Sequence, residues 1–173
     1  MVPGADVAGV ETLEIRTREA LMIDLRKALE LSEPLRMLVT FRIARYAEFA
    51  DKWGAYATDA LVTYIASCLP SSSRPASFYH RIRKDELCGL IGGRLNGVEG
   101  GFSAAARAVD EMLGSSGIAL AFGTAILPYE ARDATEALAL VDSRIKGVRT
   151  GEDVPRAPSD QPAGRSRIIR PAG

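Results

Sequence analysis

Ser77-Phe78-Tyr79-His80-Arg81-Ile82-Arg83-Lys84-Asp85-Glu86-Leu87-Cys88-Gly89-Leu90-Ile91 reads as two strands, Ser77 to Ile82 and Glu86 to Ile91, around a charged turn led by Arg83-Lys84-Asp85. So short a link joins only antiparallel strands, so the segment is a hairpin even without an Asn-Gly turn signal. Its flanks decide the rest of the class. Upstream, Ala20, Leu21, Leu25, Ala28 and Leu29 recur at helical spacing after Thr17, a candidate N-cap, and Ser32-Glu33-Pro34 ends that helix.

Leu35 to Ile43 then predicts a buried strand, with Leu35, Met37, Leu38, Val39, Phe41 and Ile43 apolar. Tyr46 to Trp53 predicts a short helix broken at Gly54. A second helix opens at Thr58 or Asp59, runs through Leu61, Val62, Ile65, Cys68 and Leu69, and stops at Pro70. The Ser71-Ser72-Ser73-Arg74-Pro75 cluster is a loop. Beyond the hairpin, Gly92 to Gly101 predicts a glycine-rich loop, followed by a helix from Ser103 to Leu113 and a strand from Ile118 to Ile126. A last helix spans Asp133 to Val148, with Leu138, Val141 and Ile145 on one face. Strands interleaved with helices, one pair joined by a tight hairpin, give an α+β fold of the ferredoxin-like, nucleotide-cyclase palm kind: a mixed, mainly antiparallel sheet flanked by helices.

Composition sets the outer limits. With 47% hydrophobic and 25% charged residues in 173, the chain is one globular domain with tails. Lys plus Arg and Asp plus Glu number 22 each, so no net field favours nucleic acid or an anionic membrane. No apolar run approaches the ~20 residues of a membrane helix, and the N-terminus has no signal-peptide character, so the expected compartment is the cytoplasm. Residues 1–10 are expected to be a flexible terminus, 11–149 the domain, 150–164 a disordered stretch whose composition turns to Pro, Gly, Asp and Ser, and 165–173 a tail in which Ile168-Ile169 forms a short strand.

Over Thr12 to Arg149 the chain resembles the GGDEF family, the diguanylate cyclases. Phe41 to Asp59 lies without a gap on that family's strand, Phe-Lys-x-x-Asn-Asp segment and following helix, with Tyr46, Asp51, Trp53, Gly54 and Asp59 matching or nearly matching. Arg81-Ile82-Arg83-Lys84-Asp85-Glu86-Leu87 is similar to the Arg-Tyr-Gly-Gly-Asp-Glu-Phe hairpin. Ile118 to Ala125 is similar to the returning strand through Gly123, and Leu138 to Arg149 to the last helix through Asp142. Gly164-Arg165-Ser166-Arg167-Ile168-Ile169 is similar to the terminal strand.

The resemblance implies a site in which a first Asp and a hairpin acid hold divalent metal on GTP phosphates. Arg42 stands at the position of that first Asp, and a guanidinium has no lone pair to give a metal. Arg83 and Lys84 replace the hairpin glycines that let phosphate approach the backbone. Asp85 and Glu86 remain, and an ion pair with Arg42 is expected in place of metal. Ala47 replaces the phosphate-contacting Lys, and Ala50 the guanine-reading Asn, whose partner survives as Asp59. The inhibitory-site motif that grips cyclic di-GMP corresponds to Arg74-Pro75-Ala76-Ser77, which keeps the Arg and loses the Asp.

The expectation is therefore a degenerate GGDEF domain with no catalytic residues, no metal and no cofactor, acting in cyclic di-GMP signalling through a protein partner or self-association. A non-catalytic receptor for GTP or cyclic di-GMP using Asp59, Lys84 and Arg74 is one alternative, and a divergent nucleotide cyclase is another. Other features have plainer readings. Cys68 and Cys88 are expected to be buried free thiols, His80 a partly buried structural residue, and Trp53 part of the core.

Overall fold

The computed structural model describes residues 15–31, 34–70 and 78–147. Within them, strand β1 (Ile15–Arg16) leads into helix α1 (Arg18–Glu30), whose first turn is capped by Thr17 Oγ1 accepting from the Ala20 amide at 3.3 Å. Strand β2 (Arg36–Ile43), helix α2 (Tyr46–Cys68) and the hairpin of β3 (Phe78–Arg83) and β4 (Glu86–Gly92) follow. Helix α3 (Val98–Leu113), strand β5 (Leu120–Leu127) and helix α4 (Ala134–Gly147) complete the domain.

The five strands lie in the order β1-β3-β4-β2-β5. The β1–β3 pair is parallel, and β3–β4, β4–β2 and β2–β5 are antiparallel. Successive strand side chains point to opposite faces, and both faces are covered here. From β2, Met37, Val39, Phe41 and Ile43 pack with Leu61, Ile65, Phe102 and Val109 of α2 and α3. Leu38 faces the other way, with Leu21, Leu25, Ala125, Ala137 and Val141, beneath α1 and α4. Burial on both faces explains why the β2 sequence is nearly continuous in apolar residues rather than alternating. Phe41 anchors the first layer, edge-on to Phe102 with ring centroids 5.2 Å apart.

Two close approaches fix the layers. A Cβ on Gly123 would sit 2.4 Å from the Val141 carbonyl oxygen, so only glycine lets α4 lie this near β5. In α2, Gly54 has φ 79° and ψ 178°, a conformation open essentially to glycine alone, and it kinks the helix at the predicted break. Thr58 Oγ1 donates to the Gly54 carbonyl at 2.6 Å and steadies the restart.

Several expectations need correction. Trp53 is not core: it is 57% exposed, packed against Phe49 along the outer face of α2 with Lys52 over its ring. Cys68 is half-buried, while Cys88 is fully buried as expected. His80 is fully rather than partly buried. Helix α3 begins at Val98, inside the predicted glycine loop; Gly97, with φ 80°, supplies the turn before it, and Gly100 and Gly101 are helical. Strand β1 escaped sequence analysis because two residues carry no periodicity. Arg74, with the rest of 71–77, lies outside the described residues, as do 1–14, 150–164 and the strand expected at Ile168-Ile169. Among the described residues no helix is long and apolar enough to cross a membrane.

Candidate functional site

The site lies where β2 ends, β4 begins and α4 crosses them. Arg42 and Glu86 are direct partners across the β2–β4 ladder, so their side chains leave the sheet on the same face, toward α4. Arg42 Nε donates to Glu86 Oε1 at 2.8 Å, and Nη2 donates to the same oxygen. From above, Asp142 of α4 accepts a second bond from Nη2. Arg83, in the hairpin, adds a 3.4 Å contact to Glu86 Oε1.

Burial makes this cluster more than a surface pairing. The Glu86 side chain is only 4% exposed, against 26% for Arg42 and 33% for Asp142. Burying a carboxylate without a counter-charge is costly, and Arg42 supplies that charge. For Arg42, burial works against the charge, but hydrogen bonds to Asp142 and Glu86 outweigh it and hold the guanidinium above the usual arginine range. The expected ion pair is therefore present, to Glu86 and not to Asp85. Asp85 takes part through its backbone, its carbonyl accepting from the Ile43 amide at 2.9 Å. A cavity of about 510 Å³ opens beside the cluster, lined by Arg18, Thr40, Arg83, Glu86, Thr135 and Asp142.

Asp59 and Lys84 lie apart from this centre. Asp59, 71% exposed on α2, is held by Arg81 Nη1 at 3.1 Å. Arg81 in turn donates to the Tyr46 hydroxyl at 2.9 Å and to the Lys84 carbonyl at 3.2 Å. Arg81 thus ties α2 to the hairpin tip, over a shallow groove of about 740 Å³ where Arg16, Arg18, Arg83 and Lys84 supply further cations. Asp142 is the member that sequence reasoning missed. It was visible as a match in the last helix, but nothing in a 100-residue separation from Arg42 announces that the two touch.

The fold is shared by solved structures. A sensory box/GGDEF family protein from Caulobacter crescentus superposes with a TM-score of 0.59 at 23% identity, over 76% of this chain and 90% of its own. The GGDEF domain of DgcB from the same organism, in complex with c-di-GMP, gives 0.57 at 19% identity over 85% and 89%. The chain has the GGDEF fold. Diguanylate cyclase SiaD from Pseudomonas aeruginosa, solved with its activator SiaC, gives 0.61 at 17% identity over 79% of this chain and 58% of its own. No protein-family model and no curated protein matches the sequence. On the GGDEF fold, the Arg42–Glu86–Asp142 cluster occupies the point where β2 and the hairpin meet.

Proposed function

We propose that this chain is a catalytically inactive GGDEF-fold module of cyclic di-GMP signalling, acting through contacts with a protein partner or a second copy of itself. The observation that carries the reading is the Arg42 guanidinium lying between Glu86 and Asp142. A metal centre needs these carboxylates turned on a cation that accepts their lone pairs; here a side chain of the protein takes that place, and its positive charge repels any other cation. The donor set does not fit a divalent metal.

Other observations point the same way. Arg83 and Lys84 carry long side chains at the hairpin, where a triphosphate needs open backbone. The exposed Trp53 and Tyr56 on α2 offer aromatic surface of the kind that protein contacts use. One similar protein, diguanylate cyclase SiaD, is solved in complex with its activator SiaC, which supports a reading through protein contacts.

The test is direct. Incubated with GTP and magnesium or manganese, the protein should yield no cyclic di-GMP by chromatography. Product that disappears in a Glu86→Gln control would overturn the proposal.

A second reading, a nucleotide receptor without turnover, is favoured by the basic groove at Arg81, Arg83 and Lys84 beside Asp59. Because Asp59 is engaged by Arg81, base recognition there requires that pair to open. Calorimetry with GTP and with cyclic di-GMP separates the readings: saturable heat lost in Lys84→Ala supports the receptor, and its absence supports the interaction module.

A further inference from the structure

His80 of β3 has a fully buried imidazole, and neither ring nitrogen has a hydrogen-bond partner among the described residues. Its Nε2 lies 3.4 Å from Oδ2 of Asp24 on α1. The same oxygen lies 3.5 Å from Nη1 of Arg16, and Arg16 sits directly opposite His80 in the parallel β1–β3 register. One carboxylate oxygen therefore faces two groups: a permanent cation on the edge strand and a titratable base on its neighbour.

The remaining surroundings decide what protonation would do. Lys27 from α1 and Arg36 from β2 line a cavity of about 240 Å³ together with Asp24 and His80. From β4, Cys88 faces His80 across the ladder, and burial pushes its thiol up to about 12, so it stays neutral. Asp24 is thus the acid among three cations: Arg16, Lys27 and Arg36. An imidazolium here has Asp24 as its counter-charge, and the cavity gives the carboxylate room to turn toward it. Arg16 is part-exposed. Burial lowers the proton affinity of His80 most; Asp24 and the Cys88 backbone oppose it, and Arg16 lowers it a little further.

We propose that His80 is a proton-operated latch for β1: on acidification the imidazolium recruits Asp24, the Arg16–Asp24 contact opens, and the edge strand loosens from β3. Strand β1 is two residues long, so backbone pairing alone holds it weakly. Its side-chain ties then carry much of its attachment. The latch lies on β1, β3 and α1 and does not depend on the functional reading above.

The chain contains a single histidine, so its ring resonance is unambiguous. The experiment is an NMR titration of the full chain from pH 7.5 to 5, following the His80 ring with the backbone shifts and heteronuclear NOEs of Ile15 and Arg16. The expected result is one ring titration below the ordinary histidine value of ~6.5, with β1 shifts moving toward random-coil values at the same midpoint while β2 shifts hold. In His80→Phe the β1 response should vanish. A β1 that stays native while His80 titrates, or that moves equally in His80→Phe, overturns the proposal. Asp24→Asn covers the case in which that variant does not fold. It should show a loosened β1 already at pH 7.5 and no further change on acidification, and a pH-dependent β1 in that variant overturns the latch.

Discussion

Arg42 on β2 and Glu86 on β4 are direct cross-strand partners, and two nitrogens of the guanidinium donate to a single carboxylate oxygen that is almost wholly buried. The bond is asymmetric in what it protects. Arg42 can reach solvent if released, whereas Glu86 cannot.

Removing the cation should therefore cost more than a surface pair. Arg42→Leu should lower stability by about 1–3 kcal/mol, the range for stranding a buried polar group. Urea denaturation at pH 7 checks this. A loss below ~0.5 kcal/mol would mean that the pair is as weak as an exposed one.

Arg42→Asp asks whether the protein's own cation stands in for a metal. The substitution gathers three carboxylates at one point, the introduced one together with those of Glu86 and Asp142. Thermal stability of this variant should rise with millimolar magnesium, while the wild type should not respond. Equal responses in the two proteins would contradict the substitution of metal by guanidinium.

Gly123→Ala should destabilise the domain by about 1–3 kcal/mol, the range for overpacking. The added methyl meets the Val141 carbonyl oxygen, a backbone atom that moves only with α4 itself. Thermal denaturation followed by circular dichroism reads the effect, and a neutral outcome would show that α4 is free to shift outward.

Trp53 is the only tryptophan, so its fluorescence reports one place. Emission should be red-shifted and readily quenched by iodide, and Trp53→Ala should change stability by no more than about 0.5 kcal/mol. A blue-shifted, protected signal would place the indole back in a core or beneath a bound partner.

Trp53 also shows where sequence reading stops. The helix carrying it was legible as Tyr46 to Trp53 with a break at Gly54, but a large aromatic beside a kink does not declare which side faces the core. The sheet was more legible. The β2 apolar run and the charged hairpin turn each follow from periodicity and chain reach, and these two elements place Arg42 beside Glu86. Asp142 was not legible as a partner, because helix-to-sheet contacts between distant segments depend on how α4 crosses, and that is set by the small Gly123. The start of α3 was hidden by glycines, which argue for loop locally and are overridden by packing of Phe102, Ala105 and Val109.

His80 sets the expected pH dependence of stability. Its folded-state proton affinity lies below the ordinary histidine value, chiefly through burial. As pH falls through ~6.5 the unfolded chain takes up a proton that the folded chain resists, so stability present above that pH declines below it. Denaturation at pH 7.5 and 5.5 should show this decline, and His80→Phe should reduce it. An undiminished decline in the variant would assign the effect to the carboxylates.

Whether a guanidinium fills the position of a metal is tested most directly by calorimetric titration of the wild-type protein with manganese. No stoichiometric binding at this centre is the predicted result. One-site binding that is abolished by Glu86→Gln would contradict it.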